Sequence, residues 1–167
     1  MTFEPKLISR ESVPAALEKA QRYRLLNEPE AAESICLDVL AADPENQQAR
    51  ILQVLAVSDQ MKRELSSGLR RARALLPGIA DEYRRLYYGG IVCERYAMAK
   101  LAQGAPGALE SAYEWLRNAM DAYEQAEAKR PAGNDEAILR WNTCARILAR
   151  NPALAPSAPE AYEPSLE

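Results

Sequence analysis

Apolar residues recur along most of this chain at intervals of three and four, the spacing of one helical face, and alternation with a period of two is almost missing. Ser12 is placed to cap a first helix, which tolerates Pro14 in its opening turn and runs to about Leu26. The run Asn-Glu-Pro-Glu from Asn27 predicts a reciprocal capping box between Asn27 and Glu30. The second helix that follows carries Ala32, Ile35, Cys36, Val39 and Leu40 on one stripe, and Asp43 with Pro44 stops it and caps the next. A third helix over about 45–60 is apolar at Ile51, Leu52, Val54, Leu55 and Val57. A fourth, over about 63–76, places Leu65, Leu69, Ala72 and Leu76 on one side before Pro77 ends it. Two longer helices, about 79–103 and 106–129, are separated by Gly-Ala-Pro-Gly.

The last periodic stretch, 132–150, opens with Asn134 as cap and with Asp135 and Glu136 near the positive end of the helix. Ala137, Trp141, Cys144 and Leu148 share one face, which Ile138 and Ala145 widen. Asn142 and Thr143 flank it, in reach of the preceding helix pair. Beyond Arg150 the chain has four prolines and three glutamates in seventeen residues, which predicts a tail without a fold of its own. The expected organisation is one helical domain over 1–150 and an acidic, proline- and alanine-rich tail over 151–167.

Three helix pairs end alike. Ala32, Cys36 and Pro44 keep the spacing of Leu65, Leu69 and Pro77, and of Ala119, Tyr123 and Pro131. The first helix of each pair repeats a small or modest residue followed three positions later by another: Ala20 with Tyr23, Val54 with Val57, Gly90 with Cys93. The small residue lets two helix axes approach, and its neighbour fills the space beside it.

This pattern resembles the tetratricopeptide repeat (TPR), whose signature pairs Gly or Ala with Tyr, then Ala with an aromatic, then Pro. The resemblance covers about 13–148. In the second cycle Arg50 stands at the usual tryptophan position and one residue is missing between the helices. In the third, Leu86 and Gly90 fit the opening half, but Ala119 follows Gly90 by 29 residues where Ala32 follows Ala20 by 12. The excess, split over two helices, lengthens each by roughly 13 Å and predicts an elongated hairpin. The stretch Gly133 to Leu148, including Trp141, is similar to a closing segment of bacterial tetratricopeptide proteins. The resemblance implies an all-α superhelical array of three antiparallel hairpins sealed by a capping helix, with a concave surface that binds a helix or an extended peptide. Some members of the family hold a peptide's carboxyl terminus with Lys and Asn from successive inner helices. Leu17, Gln21, Ile51 and Leu55 occupy the comparable positions here, so that clamp is absent and apolar contacts are expected.

Composition narrows the chemistry. At 167 residues, 48% hydrophobic and 27% charged, the chain has the balance of a single soluble domain. A net charge of -3 gives no global pull toward nucleic acid or an anionic membrane, and no apolar run reaches the length of a membrane span. Histidine is absent, which removes the commonest general base and metal ligand. Cys36, Cys93 and Cys144 lie far apart, are odd in number and follow no secretory segment; reduced thiols and a cytoplasmic location are expected. With no histidine as partner, Cys144 reads as core rather than nucleophile. Glu124, Glu127, Asp135 and Glu136 form no metal-type motif, and phosphate-loop and nucleophile-elbow motifs are missing. No enzyme activity, metal or cofactor is expected.

Two runs remain as candidate surface. Tyr83, Arg84, Tyr87, Tyr88 and Arg95 surround Gly89 and Gly90, and tyrosine and arginine are enriched where partners bind tightly. Glycines inside a helix cost about 1 kcal/mol each against alanine, which close approach of a neighbouring helix would offset. Arg70, Arg71 and Arg73 with Arg84 and Arg85 form a basic group that reads as a solvated face, since Leu69, Ala72 and Leu76 point the other way. The function expected is a protein–protein interaction scaffold whose partner contacts the long hairpin. Its rivals are a self-associating structural subunit and a small-molecule binder or enzyme walled by the glycine–tyrosine helix. The tail, with Tyr162 or Leu166 as anchor, is a further candidate to occupy the groove.

Overall fold

The computed structural model describes residues 2–155 as seven α-helices and four short 3₁₀ turns, with no strand among the described residues. The helices are α1 (Val13–Leu25), α2 (Pro29–Ala42), α3 (Gln47–Asp59), α4 (Leu65–Leu75), α5 (Glu82–Gln103), α6 (Ala108–Glu127) and α7 (Glu136–Arg150). The all-α expectation holds. Each helix packs on the next in sequence, and the short connections make neighbours antiparallel. In addition α1 touches α3 and α3 touches α5, so these three helices lie side by side.

Burial explains the positions that recur in sequence. Ala20, Ala32, Val54 and Ala119 are sealed from solvent, as close approach of helix pairs requires. Val13, Leu17, Ala20, Cys36, Val39, Ala49 and Leu52 form a small core within the first hairpin and against α3. A larger core runs from α3 to α7 and includes Val54, Val57, Met61, Leu116, Tyr123 and Cys144, with Leu86 and Trp141 packed at its margin. α3 belongs to both, and Ala49 and every residue from Ile51 to Ser58 are buried. A helix covered on all sides has little amphipathic contrast, which is why its apolar positions form a near-continuous run.

The long hairpin is the largest element pair, with 22 residues in α5 and 20 in α6 against 13 and 14 in the first hairpin. Gly104 (φ 62°) ends α5 in the left-handed region and Gly107 (φ 75°) opens α6 there. Gly90 meets Tyr123 of α6. A Cβ added at Gly90 would lie 2.7 Å from Tyr123 Cδ1 and 2.9 Å from its Cζ, which accounts for the glycine. Gly89 has no such neighbour: its added Cβ would meet only Leu76 Cδ1, at 3.8 Å.

Several local expectations need correcting. Ser12 precedes α1, but its hydroxyl turns back to donate to Ser9 O (2.8 Å), because a 3₁₀ turn at Arg10–Ser12 leads into the helix. Asn27 does not cap α2. Its φ of 61° makes it the left-handed residue closing α1, where Glu28 N donates to Tyr23 O (2.9 Å), and Glu30 instead accepts from Arg63 (2.7 Å). Asn46, not Asp43, caps α3: its Oδ1 accepts from Ala49 N at 2.9 Å while Asp43 accepts from Asn46 Nδ2 at 2.9 Å. Thr143 donates to Leu139 O of its own helix (2.9 Å) rather than across to the preceding pair. Packing also continues past Arg150. Pro152–Leu154 form a 3₁₀ turn, and Leu154 is buried against the larger core. Tyr162 and Leu166 lie outside the described residues.

Candidate functional site: a groove with a tyrosine wall

Four helices build one groove. Gln21 and Arg24 project from α1, Gln48, Ile51 and Leu55 from α3, Tyr83, Arg84, Tyr87 and Tyr88 from α5, and Glu136 from α7. The geometry follows from spacing: 21 and 24, 48, 51 and 55, and 84 and 88 each fall three or four apart, on one side of their helix. The groove encloses about 460 Å³. A second cavity of about 300 Å³ shares Arg24 with it and is bordered by Asn27, Ser58, Asp59, Lys62, Arg95 and Met98.

The tyrosines do two jobs. Tyr83 and Tyr87 are buried, their rings stacked with centroids 5.9 Å apart, and Tyr87 also packs 6.0 Å from Tyr123. The Tyr83 hydroxyl donates to Asn134 Oδ1 (3.1 Å), which also accepts from Glu136 N (3.0 Å); the start of α7 is thereby pinned to α5. Tyr88 is half-buried, edge-on to Tyr87 at 5.1 Å, and forms the accessible part of the wall. Burial pushes all three phenols above their ordinary value, and the carboxylate of Glu136 adds to this at each. They remain neutral donors near pH 7. Arg84 is exposed on the first turn of α5, whose end Asp81 caps by accepting from Arg84 N at 2.8 Å.

Arg95 is placed differently from its neighbours in the candidate surface. It is half-buried in the second cavity, where Nη1 donates to Leu55 O (3.0 Å) and Ser58 Oγ and pairs with Asp59 Oδ1 (2.9 Å). Burial pushes its guanidinium below the ordinary value, Asp59 pulls it back, and Arg24 and Arg140 repel it. Arg95 holds α5 to α3 and is not free for a partner. Asp59 is shared: its Oδ2 accepts from Arg24 Nε at 2.6 Å, so one carboxylate joins α1, α3 and α5.

A second polar cluster lies at the second cavity, which Glu94 borders. Buried Glu94 accepts from Tyr123 OH (2.7 Å) through Oε2 and from Arg140 Nη1 (3.1 Å) through Oε1, connecting α5, α6 and α7. The remaining arginines do not form one basic patch. Arg71 pairs with Glu33 and Glu64, Arg73 lies 4.6 Å over the Trp115 ring, and Arg85 donates to Ile79 O (2.8 Å). Trp141 Nε1 donates to Glu124 Oε1 (2.9 Å). Of the inner positions read from sequence, Gln21, Ile51 and Leu55 reach the groove, whereas Leu17 packs in the first-hairpin core.

Cys36 and Cys144 are sealed in the core, and burial pushes each thiol up to about 12; burial also raises Cys93. Sequence reasoning missed Arg24, Gln48, Asp59 and Glu136. Gln48 and Arg24 could have been found by extending the stripes of Ile51–Leu55 and Leu17–Gln21 by one step, but Asp59 carries no local signal. Among the described residues no helix is long and apolar enough to cross a membrane. No family model, curated protein or solved structure matches this chain.

Proposed function

We propose that this chain is a protein–protein interaction scaffold or adaptor of the tetratricopeptide-like kind, and that a helix or extended segment of its partner lies in the groove of the odd-numbered helices. The observation that supports this reading is the division of labour in the wall. Tyr83, Tyr87 and Arg95 rigidify it from behind, while Arg84, Tyr88, Gln21 and Gln48 present side chains with no hydrogen-bond partner among the described residues. A preformed surface of this kind loses little side-chain freedom on binding. On this reading the chain works by binding, without catalytic residues.

The test is capture of partners from native lysate by wild type and by Arg84→Ala/Tyr88→Ala. Both side chains lie at the surface, so the variant keeps the wild-type helical circular dichroism and loses the captured proteins. Equal capture by a folded variant removes the groove as the binding surface. Self-association is the second reading, favoured by a cleft of about 520 Å³ on the opposite flank of α1 that exposes Leu26 beside Tyr23 and Lys19. Light scattering across concentration decides it: a mass that rises with concentration and reverts with Leu26→Glu assigns that flank to a second copy.

A further inference from the structure

The two cavities meet at Arg24, and their charges do not balance. Arg24 and Arg95 both rely on Asp59, one carboxylate for two guanidinium groups. Glu94 is committed to Arg140 and Tyr123. Lys62 borders the second cavity and Arg84 the first, and neither has an acidic partner among the described residues. Glu136 is the one remaining carboxylate, on the α7 side of the first cavity. A chain with net charge -3 thus carries a positive surplus in its groove. Arg24 also has donors to spare. Only its Nε is bonded, to Asp59, so the two terminal nitrogens have no hydrogen-bond partner among the described residues although the side chain is just 18% exposed. A planar fork held at its base, with its tips facing a cavity, matches a carboxylate in two-point geometry.

Building on the groove reading above, we propose that Arg24 and Arg84 bind acidic side chains of the partner segment. The surplus is small, and three carboxylates share the same walls, which disfavours a polyphosphate or nucleic acid and fits one or two glutamates or aspartates. Ile51 and Leu55 on one side of Arg24, and the exposed Met98 on the other, supply apolar contact for residues flanking the acid. The segment is therefore acidic at its centre and apolar to either side. Its recognised group is an internal side chain, since both cavities are open and Arg24 stands between them rather than at an end.

The experiment uses degenerate eight-residue peptides, acetylated and amidated so that no terminal carboxylate is present, in two pools that differ in having glutamate or glutamine fixed at two central positions. Fluorescence anisotropy with the full chain should show the glutamate pool bound about fivefold or more tighter at 50 mM salt, with the ratio shrinking toward one at 500 mM. Arg84→Gln, which removes no hydrogen bond or ion pair among the described residues, should lower that ratio at least twofold, and Arg24→Gln further. Asp59→Asn should raise it, because the cation surplus grows by one; a purely structural ion pair gives no such gain. Thermal melts establish that each variant is folded, and the Arg84 variant alone suffices if the other two are not. Equal binding of the two pools, binding of neither, or a glutamate preference unaffected by Arg84→Gln overturns the acidic partner. Inorganic phosphate that displaces the glutamate pool at micromolar concentration overturns it in favour of a phosphate ligand. Pools that bind equally yet are lost with Tyr88→Ala leave the groove reading standing while this one fails.

Discussion

Gly90→Ala should destabilise the protein even though alanine is the better helix former. In an unconstrained helix the change is worth about 1 kcal/mol in favour of alanine. Here the new methyl carbon would lie 2.7 Å from Tyr123 Cδ1, well inside the 3.5–4.0 Å at which carbon atoms rest against each other. The ring has little room to retreat: Tyr123 is fully buried, and its hydroxyl is anchored to Glu94 at 2.7 Å. Either the two helices separate locally or that bond lengthens. Overpacking of this sort costs roughly 1–3 kcal/mol, so the net loss after the helix gain is up to about 2 kcal/mol, or as much as a few degrees in Tm for a chain of this size. Gly89 is the internal control. One residue away on the same helix, its added Cβ meets only Leu76 at 3.8 Å, so Gly89→Ala should stabilise by up to about 1 kcal/mol. Urea unfolding of both variants, followed by circular dichroism, measures the difference directly. Gly90→Ala as stable as Gly89→Ala would refute the packing account.

Tyr123→Phe removes the donor to buried Glu94 and should cost about 1–3 kcal/mol in urea unfolding, with the helical signal of the native state unchanged. Leu154→Ala should destabilise by about 2 kcal/mol or more, and truncation after Arg150 by at least as much, since Leu154 is buried against the core; a truncated chain with the parental Tm would show that this turn contributes nothing. Cys36 and Cys144, held protonated to about pH 12, should resist alkylation in the native state at pH 8 and react on addition of urea. Because their folded values lie above the ordinary 9.0, the stability they contribute is complete below pH 9 and is lost as pH rises toward 12. Alanine at both positions should flatten that alkaline decline in Tm.

Periodicity made the helices legible because each long apolar stripe has a partner to cover it, and Gly90 was legible as a packing residue because a glycine within a helix needs a compensating contact. Helix ends were harder to read. The same Asn that caps a helix can close the preceding one, and Asn27 does the second because the chain must turn back within three residues between α1 and α2. Arg95 looked like surface since nothing within its own helix announces Asp59, 36 positions earlier in sequence. Tyr83 and Tyr87 were correctly placed on one helix with Arg84 and Tyr88, yet the sequence could not apportion them between wall and interior. That depends on the start of α7, which brings Asn134, 51 positions on in sequence, to the Tyr83 hydroxyl. Leu154 escaped notice for a different reason: a lone leucine among prolines makes no periodic pattern, and its burial depends wholly on where α7 ends.

The position of α3 between two separate cores has a consequence for how the molecule opens. The first hairpin holds to the rest through α3 and through polar pairs at its surface, Arg24–Asp59, Arg63–Glu30 and the contacts of Glu33 with Arg71 and Gln60, and its small core is separate from the larger one, so α1 and α2 can detach as a unit while the larger core stays intact. That unit carries Gln21 and Arg24, one entire bank of the groove. Occupancy and the integrity of the amino-terminal hairpin are then thermodynamically linked: a ligand that spans both banks slows hydrogen exchange in α1 and α2 in proportion to its affinity, and loosening that hairpin weakens the ligand by the same factor.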